Sequence, residues 1–381
     1  MKYLPLVWAG LWRRPARTIF TFLSITVAFI LFGILAAISG GLAHAVNAAR
    51  VDRLIADPKF GTNMPYAYVD RVAGLPGVTV VAPRQILVGY YRDPKQAFGI
   101  VMSDRRFFAV RPELTATKEQ IDLLMRTRTG ALITVLSAKQ FGWKVGDRVP
   151  VISNTVKKDG SKVWTFDILG IIDNVDQPGR SRFFISNYDY VDEERTLEKG
   201  TIDRMLVRIK DPARATATSR AIDAMFANSG APTRTGSEKS QAQTGVQSIG
   251  DIGFFIRAVI VAVLFMLLFL TGNTMMQSVR ERGAEFAVLK AMGYSDTKLL
   301  AIVMAESIIL CLMAGLAGLA IAKLGIPRIA DLDPDTGRLL LMPWSAIGTG
   351  MGFALLVALV SALAPGLRAR RLSITDALAG R

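Results

Sequence analysis

The uncharged run AVIVAVLFMLLFLTGNTMM, residues 258–276, is followed almost at once by the charged triplet Arg280-Glu281-Arg282. Crossing the hydrocarbon core of a bilayer takes about 20 apolar residues in a helix, so this run reads as a membrane span with a charged exit. Three further runs of the same kind lie outward from it, at 19–38, at 299–322 and within 339–367. The expected fold class is a membrane protein with four transmembrane helices, one plus three. A long polar segment between the first and second reads as a mixed α+β extracytoplasmic domain.

The resulting division has an N-terminal amphipathic segment at 1–18, spans at 19–41 and 253–279, and the inserted domain at 42–252. A charged loop at 280–298, a third span at 299–322, a loop at 323–338, a fourth span at 339–367 and a tail at 368–381 complete it. Short loops rich in Lys and Arg stay cytoplasmic during insertion. Lys2, Arg13, Arg14 and Arg17 precede the first span, Arg280, Arg282, Lys290 and Lys298 fill the 280–298 loop, and Arg368, Arg370, Arg371 and Arg381 follow the fourth span. Both termini are therefore expected in the cytoplasm and the inserted domain outside. The 323–338 loop, also outside, balances Lys323, Arg328 and Arg338 against Asp331, Asp333 and Asp335. The first run is too long for a signal peptide and lacks a convincing Ala-x-Ala cleavage pattern, so it is read as an anchor.

A net charge of +15 would ordinarily suggest nucleic acid, but the twelve basic residues just named are topology signals. No nucleic-acid partner is expected; membrane lipid is. Cys311 is the single cysteine and lies in the third span, so no disulfide within the chain is available to the inserted domain. His44 is the single histidine, which excludes a His-based triad or a multi-histidine metal site within one chain. Asp173 with Asp176, or Asp192 with Glu193 and Glu194, offer carboxylate pairs in turn-like polar runs and are read as solvated surface. A Gly-x-x-x-x-Gly-Lys-Ser/Thr phosphate loop is absent from the sequence, so no nucleotide cofactor is expected on the chain itself. Glu306, in the first turns of the third span, is the one intramembrane ionisable residue, read as a carboxylate paired near the membrane boundary rather than as a proton relay.

Along the inserted segment, strands are expected at 78–88, broken by Pro83, and at 97–102, 149–152, 163–172, 182–186 and 201–209. Residues 131–141 read as a strand running into a helix, 142–149 as a turn, and 213–227 as an amphipathic helix. The Ser, Thr, Gln and Gly-rich stretch 228–250 reads as a linker or stalk base before the second span. Small residues at Ala314, Gly315, Ala317, Gly318 and Ala322, and at Gly348 and Gly352, suit close helix packing.

The 277–295 loop carries the functional signal. Helix formers run to Met292, Gly293 suits a left-handed cap, and Ser295 suits the start of the next helix. Charges gather at Arg280, Glu281, Arg282 and Glu285, while Phe286, Val288, Leu289 and Met292 supply apolar area. The residues alone leave two readings equal: a helix gripped by a soluble partner, or one resting in headgroups.

A resemblance separates them. Arg280-Glu281-Arg282, Glu285, Leu289-Lys290-Ala291-Met292-Gly293 and Glu306 resemble the cytoplasmic segment of FtsX-like ABC transporter permeases, the group that includes MacB and LolC/LolE type transporters. Leu11 to Thr18, Gly142 to Val149, Phe166 to Ile172, Pro365 to Leu372 and Thr375 to Leu378 are similar to other parts of the same family.

The resemblance implies a dimer, either of this chain or with a sister permease, in a bacterial inner membrane. Two copies of a separate ATPase subunit would carry ATP and Mg, and a periplasmic adaptor is compatible with it. Arg280, Glu281, Arg282, Glu285, Phe286, Leu289, Lys290, Met292 and Gly293 would then form the coupling element. The implied function is export or extraction of an amphiphilic substrate such as a lipid, lipoprotein, peptide or drug-like compound. The alternatives are a signalling permease that controls a hydrolase or sensor kinase without transport, and a membrane-anchored binding module.

Overall fold

In the computed structural model, residues 12–61, 63–176, 178–179, 181–248, 252–332, 337 and 340–371 are described. The start of the N-terminal segment, Asp333, Asp335, Arg338 and the tail from 372 lie outside them. Two compact units result, one built from residues 1–44 with 249–381, the other from residues 45–248.

Among the described residues, four helices are long and apolar enough to cross a membrane, and they build the first unit: α1 (Pro15–Ala48), α9 (Ile252–Glu281), α11 (Asp296–Leu332) and α12 (Trp344–Arg371). The short α10 (Gly283–Ala291) lies between the second and third. Close approach depends on the expected small residues. A Cβ built on Gly318 would lie 2.5 Å from the Thr26 carbonyl oxygen, and one on Gly33 2.5 Å from Ala322 Cβ, so α1 and α11 meet almost backbone to backbone. Gly348 and Gly352 meet nothing, whereas Gly350 packs against Leu319 and Phe32 and Gly366 against Leu300. The third helix runs ten residues beyond the expected boundary at 322, through Pro327 to Leu332. Hydropathy falls before the helix stops, which is why sequence places the end early. The fourth helix starts at Trp344, after an extended stretch in which Leu341 N–H bonds the Ala37 carbonyl at 2.9 Å and the Lys323 ammonium bonds the Met342 carbonyl.

The second unit runs β1 (Arg53–Pro58), β2 (Met64–Pro65), α2 (Tyr68–Ala73), β3 (Val78–Tyr90), β4 (Ala97–Ser103), α3 (Arg106–Val110), α4 (Lys118–Arg126), β5 (Gly130–Thr134) and α5 (Val135–Phe141). It continues through β6 (Arg148–Ser153), β7 (Val163–Ile172), β8 (Phe184–Asn187), α6 (Tyr188–Glu194), β9 (Thr201–Ile202), β10 (Arg204–Ile209), α7 (Ala215–Phe226), β11 (Thr233–Ser237) and α8 (Glu238–Ser248). Nine strands form one mixed sheet in the order β11-β1-β10-β3-β4-β8-β5-β7-β6, with β4–β8 and β5–β7 parallel. Period-two alternation sends neighbouring residues to opposite faces. Met205, Val207 and Ile209 join a core with Trp164, Phe166 and the helices α2, α5, α6 and α7, while Leu206 joins one with Leu132, Ile185 and the helices α3 and α4.

Two expectations are corrected here. Pro83 does not break β3, because the strand changes partner there: pairing with β10 covers Val78 to Arg84, and pairing with β4 starts at Gln85. By strand alternation the missing Pro83 N–H faces the side where no ladder has begun, so it costs no bond. Within the 228–250 stretch, residues 233–237 form edge strand β11 and 238–248 form helix α8 rather than a linker, and 249–250 lie outside the described residues. Its hydroxyls have partners, with Thr233 and Thr235 both donating to Asp223 at 2.9 and 2.7 Å, and a polar composition suits an edge strand better than a central one.

Candidate functional site

The charged corner where α9 ends is built by one residue leaving the helix. Arg282 sits between α9 and α10 with φ −101° and ψ 14°, and its side chain turns inward. Its Nη1 donates to Glu306 Oε1 at 2.5 Å, its Nε reaches Glu285 Oε2 at 3.4 Å, and the guanidinium lies 5.1 Å from the Phe286 ring centre. Glu306 is 3% exposed and Phe286 fully buried. Phe286 packs with Val279, Leu299 and Val303 in a small core of its own, with Leu289 against it. The intramembrane carboxylate is thus an ion-pair partner of the corner.

The end of α10 is a Schellman motif. Gly293 has φ +89°, its N–H bonds the Lys290 carbonyl at 3.0 Å, and Tyr294 N–H bonds the Leu289 carbonyl at 3.0 Å. Lys290 Nζ lies 2.9 Å from Asp296 Oδ1 and ties the end of α10 to the first turn of α11. On the other side the start of α1 is pinned to the same corner, with Arg13 on Glu285, Arg14 on Glu281 at 3.1 Å, and Arg17 on Glu281 at 2.8 Å.

The structure therefore divides the nine expected coupling residues. Glu281, Arg282, Glu285, Phe286, Leu289 and Lys290 hold α10 in place, and Gly293 turns the chain. Arg280 and Met292 are exposed, the latter 65%, and Val288 beside them is 50% exposed. Phe286 does not supply partner-facing area as expected, because it is the side chain that anchors the helix. In sequence, Arg13, Arg14 and Arg17 read as topology signals and as part of the family-like stretch from Leu11 to Thr18. Their spacing beside a loop bearing Glu281 and Glu285 was the available clue to their second role.

Elsewhere the carboxylate pairs find structural partners. Glu193 and Glu194 meet Arg128 at 2.7 and 2.8 Å, Asp192 holds Arg195, and both Asp173 oxygens accept from Gly179 N–H at 3.0 Å. The first three sit on α6 rather than in a loop. No group of three or more His, Cys, Asp or Glu placed to hold a metal occurs among the described residues.

Four helices long and apolar enough to span a membrane, a sheet domain inserted after the first, and a short helix pinned at the charged corner between the second and third define a one-plus-three membrane protein. Residues 18–225, more than half of the chain, match the MacB-like periplasmic core domain, and residues 257–374 match the FtsX-like permease C-terminal model. The chain belongs to the FtsX-like permeases that carry a MacB-like periplasmic core domain. It is 26% identical over 243 residues to an uncharacterized ABC transporter permease of Methanocaldococcus jannaschii, covering 61% of this chain and 59% of that protein. It is 28% identical over 106 residues to the uncharacterized ABC transporter permease YknZ of Bacillus subtilis, covering 28% of this chain and 26% of that protein. The matches thus span less than two thirds of either relative. Among solved structures, the periplasmic region of MacB from Actinobacillus actinomycetemcomitans aligns at 13% identity with a TM-score of 0.37, covering 53% of this chain and 96% of that one. The extracellular domain of YknZ aligns at 14% identity with a TM-score of 0.34, covering 49% and 97%.

Proposed function

We propose that this chain is the permease subunit of an ATP-driven ABC transporter that exports or extracts an amphiphilic substrate, with α10 as the element through which a separate ATPase subunit acts. The observation that carries this reading is the two-sided construction of α10. Its inner side is fixed by the buried Arg282–Glu306 pair and Phe286, while Val288 and Met292 are left as an outer face, with Arg280 exposed at the end of α9. A helix so fixed transmits a push from a partner to α11 through Glu306 and to α1 through Arg13, Arg14 and Arg17. A helix merely resting in headgroups needs no such bracing. In this reading the charged corner faces the cytoplasm of a bacterial inner membrane, as the distribution of Arg and Lys favours. Two permease chains sit on two ATPase copies, ATP and Mg belong to those copies, and lipid surrounds the spans.

The test is ATPase turnover with the chain in lipid nanodiscs beside its candidate ATPase, comparing wild type with Val288→Asp and Met292→Asp. Both side chains point away from the core, so insertion and thermal stability are expected to be unchanged while association or stimulation is lost. Unaltered stimulation by both variants would remove α10 from the coupling path. Failure of the wild-type chain to engage any cellular ATPase would remove the transporter reading itself.

A further inference from the structure

The inserted domain contains a buried charge cluster that the permease reading does not use. The Arg53 guanidinium, 2% exposed, donates to both oxygens of Glu113 at 2.8 and 3.1 Å and lies 3.5 Å from Glu238. Arg111 donates to Glu238 at 3.0 Å and to Glu113 at 3.3 Å. Glu238 also accepts the Arg50 backbone N–H at 3.2 Å, while Lys239 N–H bonds the Arg50 carbonyl at 3.2 Å and the Gln241 amide bonds the Ile55 carbonyl at 3.1 Å. In chain order, Arg50 and Arg53 lie within five residues of the end of α1, and Glu238, Lys239 and Gln241 open α8, the last helix before α9. The cluster therefore joins the two segments through which the inserted domain is connected to spans one and two, at the β11–β1 edge of the sheet.

As a stabiliser the cluster is poorly made. Burial and the neighbouring Arg53 charge hold the Arg111 guanidinium below its usual value, against Glu238 and Glu113. The Nε groups of both arginines are buried without a hydrogen-bond partner. Apolar residues of equal volume often stabilise a site as well or better, whereas ion networks fix geometry.

We propose that Glu238 is a positioning residue, the hub of a clasp that locks the entering and leaving segments to each other and to one sheet edge, so that displacement of either span reaches the sheet as one movement. This rests on the transporter reading above. The clasp explains why the stretch after α7 is ordered into β11 and α8 instead of forming a slack tether, since a slack tether would dissipate motion.

The experiment uses the full chain in nanodiscs. In Glu238→Gln, hydrogen exchange at residues 50–56 and 238–248 is expected to rise about tenfold with β5 and β7 unchanged, a sub-global opening rather than general destabilisation. Stimulation of the partner ATPase is expected to fall roughly fivefold or more, the lower range of a coupling energy between sites. A short bifunctional thiol cross-link between Arg50→Cys and Lys239→Cys, in a background with Cys311→Ala, is expected to restore coupling to Glu238→Gln. A role in stability alone predicts uniform exchange changes and no rescue. Unchanged exchange in α8, or full coupling with α8 released, overturns the proposal. A wild-type chain that engages no ATPase defeats the transporter reading instead, and the exchange arm still decides whether Glu238 holds the two segments together.

Discussion

At the scale of single residues, the Arg282–Glu306 pair carries the sharpest consequence. Removing one member of a buried pair leaves an uncompensated charge and costs about 3–5 kcal/mol, whereas replacing both by apolar groups is often neutral. Glu306→Leu or Arg282→Met alone is therefore expected to lower the thermal midpoint in nanodiscs markedly, and the double variant to recover most of the loss. Additive losses would mean that the two groups stabilise the corner separately. Gly293 gives a second case. At φ +89° an added Cβ costs about 1–2 kcal/mol, so Gly293→Ala is expected to destabilise α10 while Gly293→Asn loses less. Proteolysis of the corner would read this difference. The glycine was legible in sequence because capping chemistry is local. The inward turn of Phe286 was not, because Phe286 and Val288 differ by two positions on one short helix and only the packing of Leu299 and Val303 decides which is covered.

At the scale of elements, the segment joining α1 to β1 responds to acid. Burial tends to raise the Asp52 pKa, but the paired Arg50 outweighs it, and Arg208 at 3.7 Å adds to the lowering, so the folded value lies below the usual carboxylate range. A depressed carboxylate contributes stability that is present above its unfolded pKa and lost as pH falls through the folded one. Exchange at residues 50–56 is thus expected to be flat at neutral pH and to increase below about pH 4, where an ordinary aspartate begins to protonate. An increase already between neutrality and pH 5 would point to another group. The same region marks a limit of sequence reading. Most expected strands are present, since β6 and β7 each cover one alternating face and β10 is covered on both. The strand β11 carries Thr, Arg, Thr, Gly and Ser and becomes a strand through pairing with β1 and through Asp223, neither of which is local in sequence. Likewise α8 has only Ala242 and Val246 as apolar side chains, too few to form the stripe that would announce it.

At the scale of the whole molecule, the two units have separate cores: the buried clusters of the helices and those on the two faces of the sheet share no residue. The bundle depends on backbone approach, so Gly318→Leu is expected to destabilise it strongly, whereas Gly348→Leu and Gly352→Leu face open space and leave the single chain unaffected. The sheet domain depends on its ends. Insertion between two spans requires its entering and leaving segments to be neighbours, and the Arg50–Lys239 and β1–β11 pairings make them so inside the domain. Those pairings require no residue of the helical unit, and the only cysteine lies outside the domain. A segment spanning residues 45–248 is therefore expected to fold alone, with a cooperative thermal transition and protected amides in β5 and β7. A non-cooperative melt would mean that the sheet needs the spans to hold its edge closed, and the independence inferred from its core would be wrong.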